Sequence, residues 1–201
     1  LAEQPKDEAR WTVGIITDLS AKRAAWGLQI RVGAELAVED LRAKGRKLRV
    51  IIEDSALDPA RAATAAQKLL AVDHVDALYT EFTPVSVAVS PISRKAERLL
   101  LYDAGAYSVL DSNPYSFKTY NDFVLGCKEV GRLWQRRGVR KPGVLKAEAE
   151  FGELCWRGAK EVFPDLLVQS YRYGEDAGAQ LLLLKKAGID AVFNITYEAD
   201  L

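Results

Sequence analysis

Apolar runs alternate with amphipathic stretches from one end of this chain to the other. Strand-like runs fall at 11–17, 48–53, 76–80, 99–102, 142–146, 166–172 and 190–195. Between them, helical periodicity covers 25–44, 59–72, 84–97, 121–138, 152–163 and 176–187. In the first helical stretch, Ile30, Gly33, Ala34, Ala37, Val38 and Leu41 repeat at the 3,4 spacing of one buried face. Asp58-Pro59 sets a capping carboxylate before a proline at the first helical position. Gly45, Gly138 and Gly188 follow three helices as stop signals. Strand and helix in strict alternation predict an α/β fold of parallel sheets covered by helices on both faces.

The alternation breaks once, in "AYSVLDSNPYSFKTYNDF" at 106–123, which is irregular, polar and rich in tyrosine. Four strands and the helices between them precede it, and a new series follows. The expected organisation is therefore two doubly wound lobes, 11–119 and 120–201. The second series closes on "AVFNITYEADL", where a strand has just ended and a helix is due. The second lobe thus reads as incomplete, and the chain as the front portion of a longer protein.

Composition narrows the function classes. Lys+Arg and Asp+Glu both number 28 in 201 residues, leaving no net field to draw nucleic acid or an anionic membrane. No uncharged apolar run reaches the length of a membrane span. Cys127 and Cys155 are the only cysteines; one disulfide and two ordinary thiols are both open. "LAEQPKDEAR" is polar and unpatterned, as a mature end after signal-peptide removal is, or a trimmed end.

Several chemistries lack their parts. There is no GxSxG nucleophile elbow, no GxxxxGK[ST] phosphate loop and no GxGxxG after the first strand. One histidine, His74, and two cysteines do not readily make a zinc site. Two acidic groups, Glu53/Asp54/Asp58 and Glu148/Glu150/Glu153, stand at strand ends. Paired carboxylates can do acid–base work or hold a cation, but a helix cap and solvated surface explain these more simply. The chain is expected to be no enzyme and to need neither cofactor nor metal.

What remains is a set of loops at the carboxyl ends of the strands, where α/β proteins hold ligands. They gather Trp26, Tyr79, Thr83, Tyr102, Tyr107, Phe151 and Tyr197, with helix starts after Thr83 and Gly105. Free N–H groups at a helix start suit a carboxylate, and aromatic faces suit the apolar or cationic remainder of a small ligand. Each aromatic has a plainer use: Trp26 as a helix-start staple, Phe151 as core, Tyr79 as cover for the sheet. The loop "TDLSAKRAAWG" at 17–27, without spaced glycines, is expected to place Trp26 as a wall rather than to cradle phosphate.

The order and spacing of "VGIITDLS", "AAWGLQIRVGAELAVEDLRAKG", "KLRVIIEDSALDPARAATAAQKLL", "VDALYTEFTPVSVAVSPISRKAE", "LLLYDAGA" and "GVLKAEAEFGELCWRGAKEVF" resemble one family. It is the type I periplasmic binding fold, in particular the branched-chain amino acid substrate-binding proteins of ABC transporters. The resemblance runs from about Trp11 to the last residue. It implies two lobes joined by a hinge that clamp a small ligand. It also implies a removed signal peptide, a periplasmic or extracytoplasmic location, secreted with or without a lipid anchor, a membrane permease as partner, and no nucleic acid. Carried over by position, Trp26 covers the ligand and Thr83 binds its carboxylate. Backbone groups at Ala104 and Gly105 assist, and Tyr197 fits a later tyrosine. The chain departs from the pattern at Ala106, where a threonine is usual, and at Phe151, where a tyrosine is usual. The acidic partner of an amino acid's ammonium is expected beyond residue 201. Both departures exchange a hydroxyl for an apolar group, so the expected ligand is an amino acid or a related apolar or aromatic acid. The alternative is a ligand-sensing domain of a receptor or regulator with the same fold.

Overall fold

The structure, a computed structural model, describes residues 11–21, 24–172 and 175–196. The chain divides into two compact units, Leu1–Tyr120 and Asn121–Leu201. The first runs β1 (Trp11–Thr17), α1 (Ala24–Ala43), β2 (Leu48–Asp54), α2 (Pro59–Ala71), β3 (Ala77–Glu81), α3 (Thr83–Lys95), β4 (Leu99–Asp103), α4 (Ser108–Ser112) and β5 (Ser116–Lys118). The second runs α5 (Phe123–Arg136), β6 (Pro142–Ala147), α6 (Glu150–Lys160), β7 (Leu167–Tyr171), α7 (Gly178–Lys186) and β8 (Ala191–Ile195).

In the first unit the strands are ordered β2-β1-β3-β4-β5, every pair parallel. The step from β1 to β2 goes one way across the sheet and all later steps go the other. Right-handed crossovers then put α1 on one face and α2, α3 and α4 on the opposite face. The side chains agree: Ile16, Leu78, Leu100 and Tyr102 pack with Ala62, Leu69, Val85, Val89 and Val109 in one buried cluster. Alternate positions, among them Ile15, Tyr79, Leu101 and Asp103, point to the α1 side. The start of α2 follows the expected chemistry. Pro59 is at its first turn and the Asp58 carboxylate accepts from the Arg61 N–H at 2.7 Å.

Two expectations need correction. Of the face predicted for α1, Val38 is buried and Ile30, Ala34 and Leu41 are half-buried, but Gly33 and Ala37 are exposed. The reason is coverage: α1 is the one described helix on its side of the sheet, so its flank has no neighbour. The segment 106–123 is not irregular throughout, since it contains α4 and β5. Polar bonds rather than apolar periodicity fix it. The Tyr102 hydroxyl donates to the Ala106 carbonyl at 2.9 Å, and the Asn113 amide donates to the Ser90 carbonyl at 3.1 Å and to Ser93 Oγ at 2.8 Å.

The second unit has three parallel strands in the order β7-β6-β8. Its central strand β6 is buried throughout, and Val144, Leu145, Phe151, Tyr171, Leu184 and Phe193 share its core. Helices α5 and α6 approach closely at Gly158, where an added Cβ would lie 2.0 Å from the Val124 carbonyl oxygen. That approach lets Cys127 and Cys155 form a disulfide, with Cα atoms 5.2 Å apart, which closes the question left open by the sequence.

Two outcomes follow. The disulfide spans 28 residues, and loop-closure entropy for such a span gives it about 3 to 4 kcal/mol. Cys127→Ser is expected to lower the stability of the second unit by about that amount in urea titration. At Gly27 in α1, an added Cβ would meet the Asp18 carbonyl oxygen at 1.9 Å. Gly27→Ala is expected to destabilise the first unit by about 1 to 3 kcal/mol, read from its unfolding midpoint.

Candidate functional site

The carboxyl ends of β1, β3 and β4 lie side by side in the sheet, with Ile16 opposite Thr80 and Glu81 opposite Asp103. The turns leaving them therefore gather at one edge. After β1, Asp18 is fully buried and its carboxylate accepts the N–H of Ser20 at 3.2 Å and of Ala21 at 2.8 Å. Asp54, at the end of β2, accepts the Leu19 N–H at 2.9 Å and the Ser20 hydroxyl at 2.5 Å. Burial works against ionisation of Asp54. The bonds from Ser20, Leu19 and Ala56, together with Arg61, outweigh it and hold the carboxyl below its ordinary range. Thus Asp18 and the end of β2 take up the N–H groups of Leu19, Ser20 and Ala21 and brace this part of the loop.

That support carries Trp26 in the first turn of α1, with 43% of its surface exposed and its ring centroid 6.3 Å from that of Phe82. Phe82 joins β3 to α3 with φ 63° and ψ 140°, in the left-handed half of backbone space that non-glycine residues seldom enter. Its N–H donates to the Asp103 carbonyl at 3.2 Å, which holds the turn after β3 against the end of β4. Such a strained residue persists only where its surroundings enforce it, and functional turns are where this recurs. No side chain caps α3. Thr83 and Pro84 open the helix, and the first intrahelical bond runs from the Ser86 N–H to the Phe82 carbonyl. The N–H groups of Thr83 and Val85 are thus the first-turn donors that a helix leaves unpaired. The Thr83 hydroxyl, half-buried, has no partner among the described residues.

The turn after β4 lies alongside. Ala104 is 5% exposed and Ala106 is fully buried, its carbonyl taken by Tyr102. The Gly105 carbonyl accepts from Lys118 Nζ at 3.2 Å, and that ammonium also lies 4.2 Å from the Tyr107 ring centre. On the α1 side of the sheet, Tyr79 is half-buried within β3 and its hydroxyl donates to Asp103 Oδ2 at 3.4 Å. Buried Glu81 accepts from the Thr17 hydroxyl and, at 3.5 Å, from the Asp18 N–H. Burial raises the Glu81 and Asp103 carboxyls above their ordinary range, and it raises the Tyr79 phenol as well, helped by the Asp103 charge.

The first unit therefore brings Trp26, Thr83 and the 104–106 turn to one edge, and adds Phe82, Glu81 and Asp103, which sequence reasoning did not single out. The turn "EFTP" contained Phe82, but nothing in four letters shows a left-handed φ. In the second unit, Phe151 is 7% exposed and packs 5.8 Å from the Phe123 ring. Tyr197 lies outside the described residues. A cavity of about 650 Å³ sits at the opposite, amino end of β1 and β2, lined by Trp11, Leu41, Gly45, Arg46, Lys47 and Leu48. It touches none of the predicted site residues.

Of the two acidic groups weighed from sequence, the first is structural. Asp58 caps α2, Asp54 braces the loop, and Glu53 pairs with Lys68 at 2.5 Å. In the second group, Glu153 pairs with Lys146, whose side chain is 7% exposed.

Comparison with known proteins gives the fold a family. Among solved structures, the chain is similar to a solute-binding protein of an ABC transporter from Rhodopseudomonas palustris BisB5 in complex with 3,4-dihydroxybenzoic acid. The two are 22% identical with a TM-score of 0.83, over 94% of this chain and 55% of that one. A solute-binding protein from R. palustris HaA2 in complex with p-hydroxybenzoic acid is 22% identical, TM-score 0.81, over 92% and 54%. A leucine-binding protein from Thermotoga maritima is 17% identical, TM-score 0.77, over 92% and 55%. The chain thus spans about half the length of these solved relatives. No curated protein sequence matches it. The profile of the periplasmic binding protein family matches residues 10–201, and the chain belongs to that family.

Proposed function

We propose that the chain is part of an extracytoplasmic solute-binding protein serving an ABC importer, a non-enzymatic receptor for a small carboxylate. The observation that carries this reading is the start of α3. Two unpaired N–H groups, the Thr83 hydroxyl and the positive end of a helix dipole converge there, beside the exposed Trp26 ring. A carboxylate satisfies the donors, and an apolar or aromatic body covers the indole. Ala104 and Gly105 border the ligand, and Ala106 supplies no hydroxyl.

Two of the solved relatives hold benzoic acids and one is named for leucine, which supports an aromatic acid or an apolar amino acid as the ligand. The loss of a hydroxyl at Ala106, and Phe in place of Tyr at 151, favour the aromatic acids, because fewer polar groups remain to recognise an amino acid. The Cys127–Cys155 disulfide supports an oxidising compartment outside the cytoplasm. The membrane partner is a permease.

A thermal-shift and calorimetric series with p-hydroxybenzoic acid, 3,4-dihydroxybenzoic acid and leucine tests the proposal. One of them is expected to raise the midpoint, with about 2.7 kcal/mol of stabilisation at a hundredfold excess over its Kd. Thr83→Ala removes a hydrogen bond to a charged group, of about 1.5 to 3 kcal/mol, and is expected to weaken that ligand about tenfold to a hundredfold. Unchanged affinity in Thr83→Ala would take the carboxylate away from α3.

A further inference from the structure

We propose that Glu81 is a positioning residue for the site: its carboxylate fixes the end of β1, and through it the first turn of α1, so that Trp26 keeps its place beside the start of α3. This role rests on the reading of Trp26 and Thr83 as ligand contacts, and it supplies the side chain that holds the two in one arrangement. Glu81 is only 4% exposed, and nothing in that reading employs it. Burying a carboxylate is costly, and here the cost exceeds what its hydrogen bonds return, because the carboxyl is raised above its ordinary range.

Thr17 and Glu81 stand at the carboxyl ends of neighbouring parallel strands, one step beyond the in-register pair Ile16 and Thr80. The Thr17 hydroxyl donates to Glu81 Oε1, and the Asp18 N–H donates to the same oxygen at 3.5 Å. Both donors belong to fully buried residues, so the bonds tie the exit of β1 to the exit of β3 away from water. Helix α1 rests on the tied residues. A Cβ at Gly27 would lie 1.9 Å from the Asp18 carbonyl oxygen and 2.8 Å from Thr17 Oγ1, so the helix meets this pair with no side chain between. Close-packed atoms leave no slack, and a shift of Thr17 or Asp18 passes to Gly27 and its neighbour Trp26. Along its own strand Glu81 leads into Phe82 and Thr83, and the Phe82 ring is the one that Trp26 meets at 6.3 Å. One side chain thus joins the wall to the donors.

The position needs an acceptor oxygen rather than a charge. Asp103 stands in register with Glu81 on β4, and the charges of Asp103 and Asp18 both work against a third carboxylate. A glutamine keeps the acceptor, and its amide NH2 suits the neighbouring carboxylates.

A double-mutant cycle on the full-length protein tests this role. The probes are p-hydroxybenzoic acid, 3,4-dihydroxybenzoic acid and leucine, and the tightest of the three is carried through the cycle. Trp26→Ala is expected to weaken it about tenfold. Glu81→Leu removes the acceptor and is expected to weaken it about threefold to tenfold by misplacing the ring. Thr17→Val removes the same bond from the other side and is expected to act alike. In the Trp26→Ala background neither change is expected to cost anything further, and Glu81→Gln alone is expected to bind as the parent does. In the ligand-free protein, the NMR signal of the Trp26 indole N–H is expected to move in Glu81→Leu and to return in Glu81→Gln. Additive losses in the cycle would overturn the role of Glu81 and leave the site reading intact. So would variants that lower the unfolding midpoint but leave affinity and the indole signal as they were. Unchanged affinity in Trp26→Ala, or binding of none of the three probes, would remove the site reading and the role of Glu81 with it.

Discussion

The handedness of the crossovers governs this molecule. Given β2-β1-β3-β4-β5 and parallel strands, a right-handed connection leaves no choice of face for any helix. One consequence is the gathering of the turns after β1, β3 and β4 at a single edge, with the Phe82 N–H bonded to the Asp103 carbonyl. The other is an unequal distribution of helices, three on one side and one on the other among the described residues. Site and bare face are products of the same rule.

Local chemistry then decides what each turn does. In the turn after β1 the N–H groups of Leu19, Ser20 and Ala21 are taken by Asp54 and Asp18. The turn after β3 does the opposite. A left-handed Phe82 and a proline at the second helical position leave donors unpaired at the start of α3. The difference lies in side-chain oxygen: the sequence TDLS carries its own acceptors, and EFTP carries none aimed back at the helix. A rigid wall and an open donor set, next to each other, are what a receptor for a small acid requires.

Much of this was legible beforehand. Helix and strand alternation, the Asp58 cap and the glycine stops after α1, α5 and α7 were plain, because each depends on neighbours in sequence. Trp26 and Thr83 were singled out by their position at strand ends. Less was readable where distant groups decide. The short β5 and α4 are held by Asn113, Tyr102 and Ser116 rather than by periodicity. The disulfide required the close approach of α5 and α6 at Gly158. Glu81 looked like any acidic residue at a strand end, since its burial comes from Thr17 and Asp18, more than sixty residues earlier. The exposed half of α1 was invisible because periodicity reports which face is apolar, not whether anything covers it.

The central claim is that the start of α3 receives a carboxylate. Amide proton shifts measured by NMR during titration with p-hydroxybenzoic acid, and separately with its carboxamide, test it most directly. The account predicts the largest downfield shifts at the Thr83 and Val85 amides, a perturbed Trp26 indole, and a much weaker response to the uncharged carboxamide. Shifts centred elsewhere in the chain, or an equal response to acid and carboxamide, would contradict it.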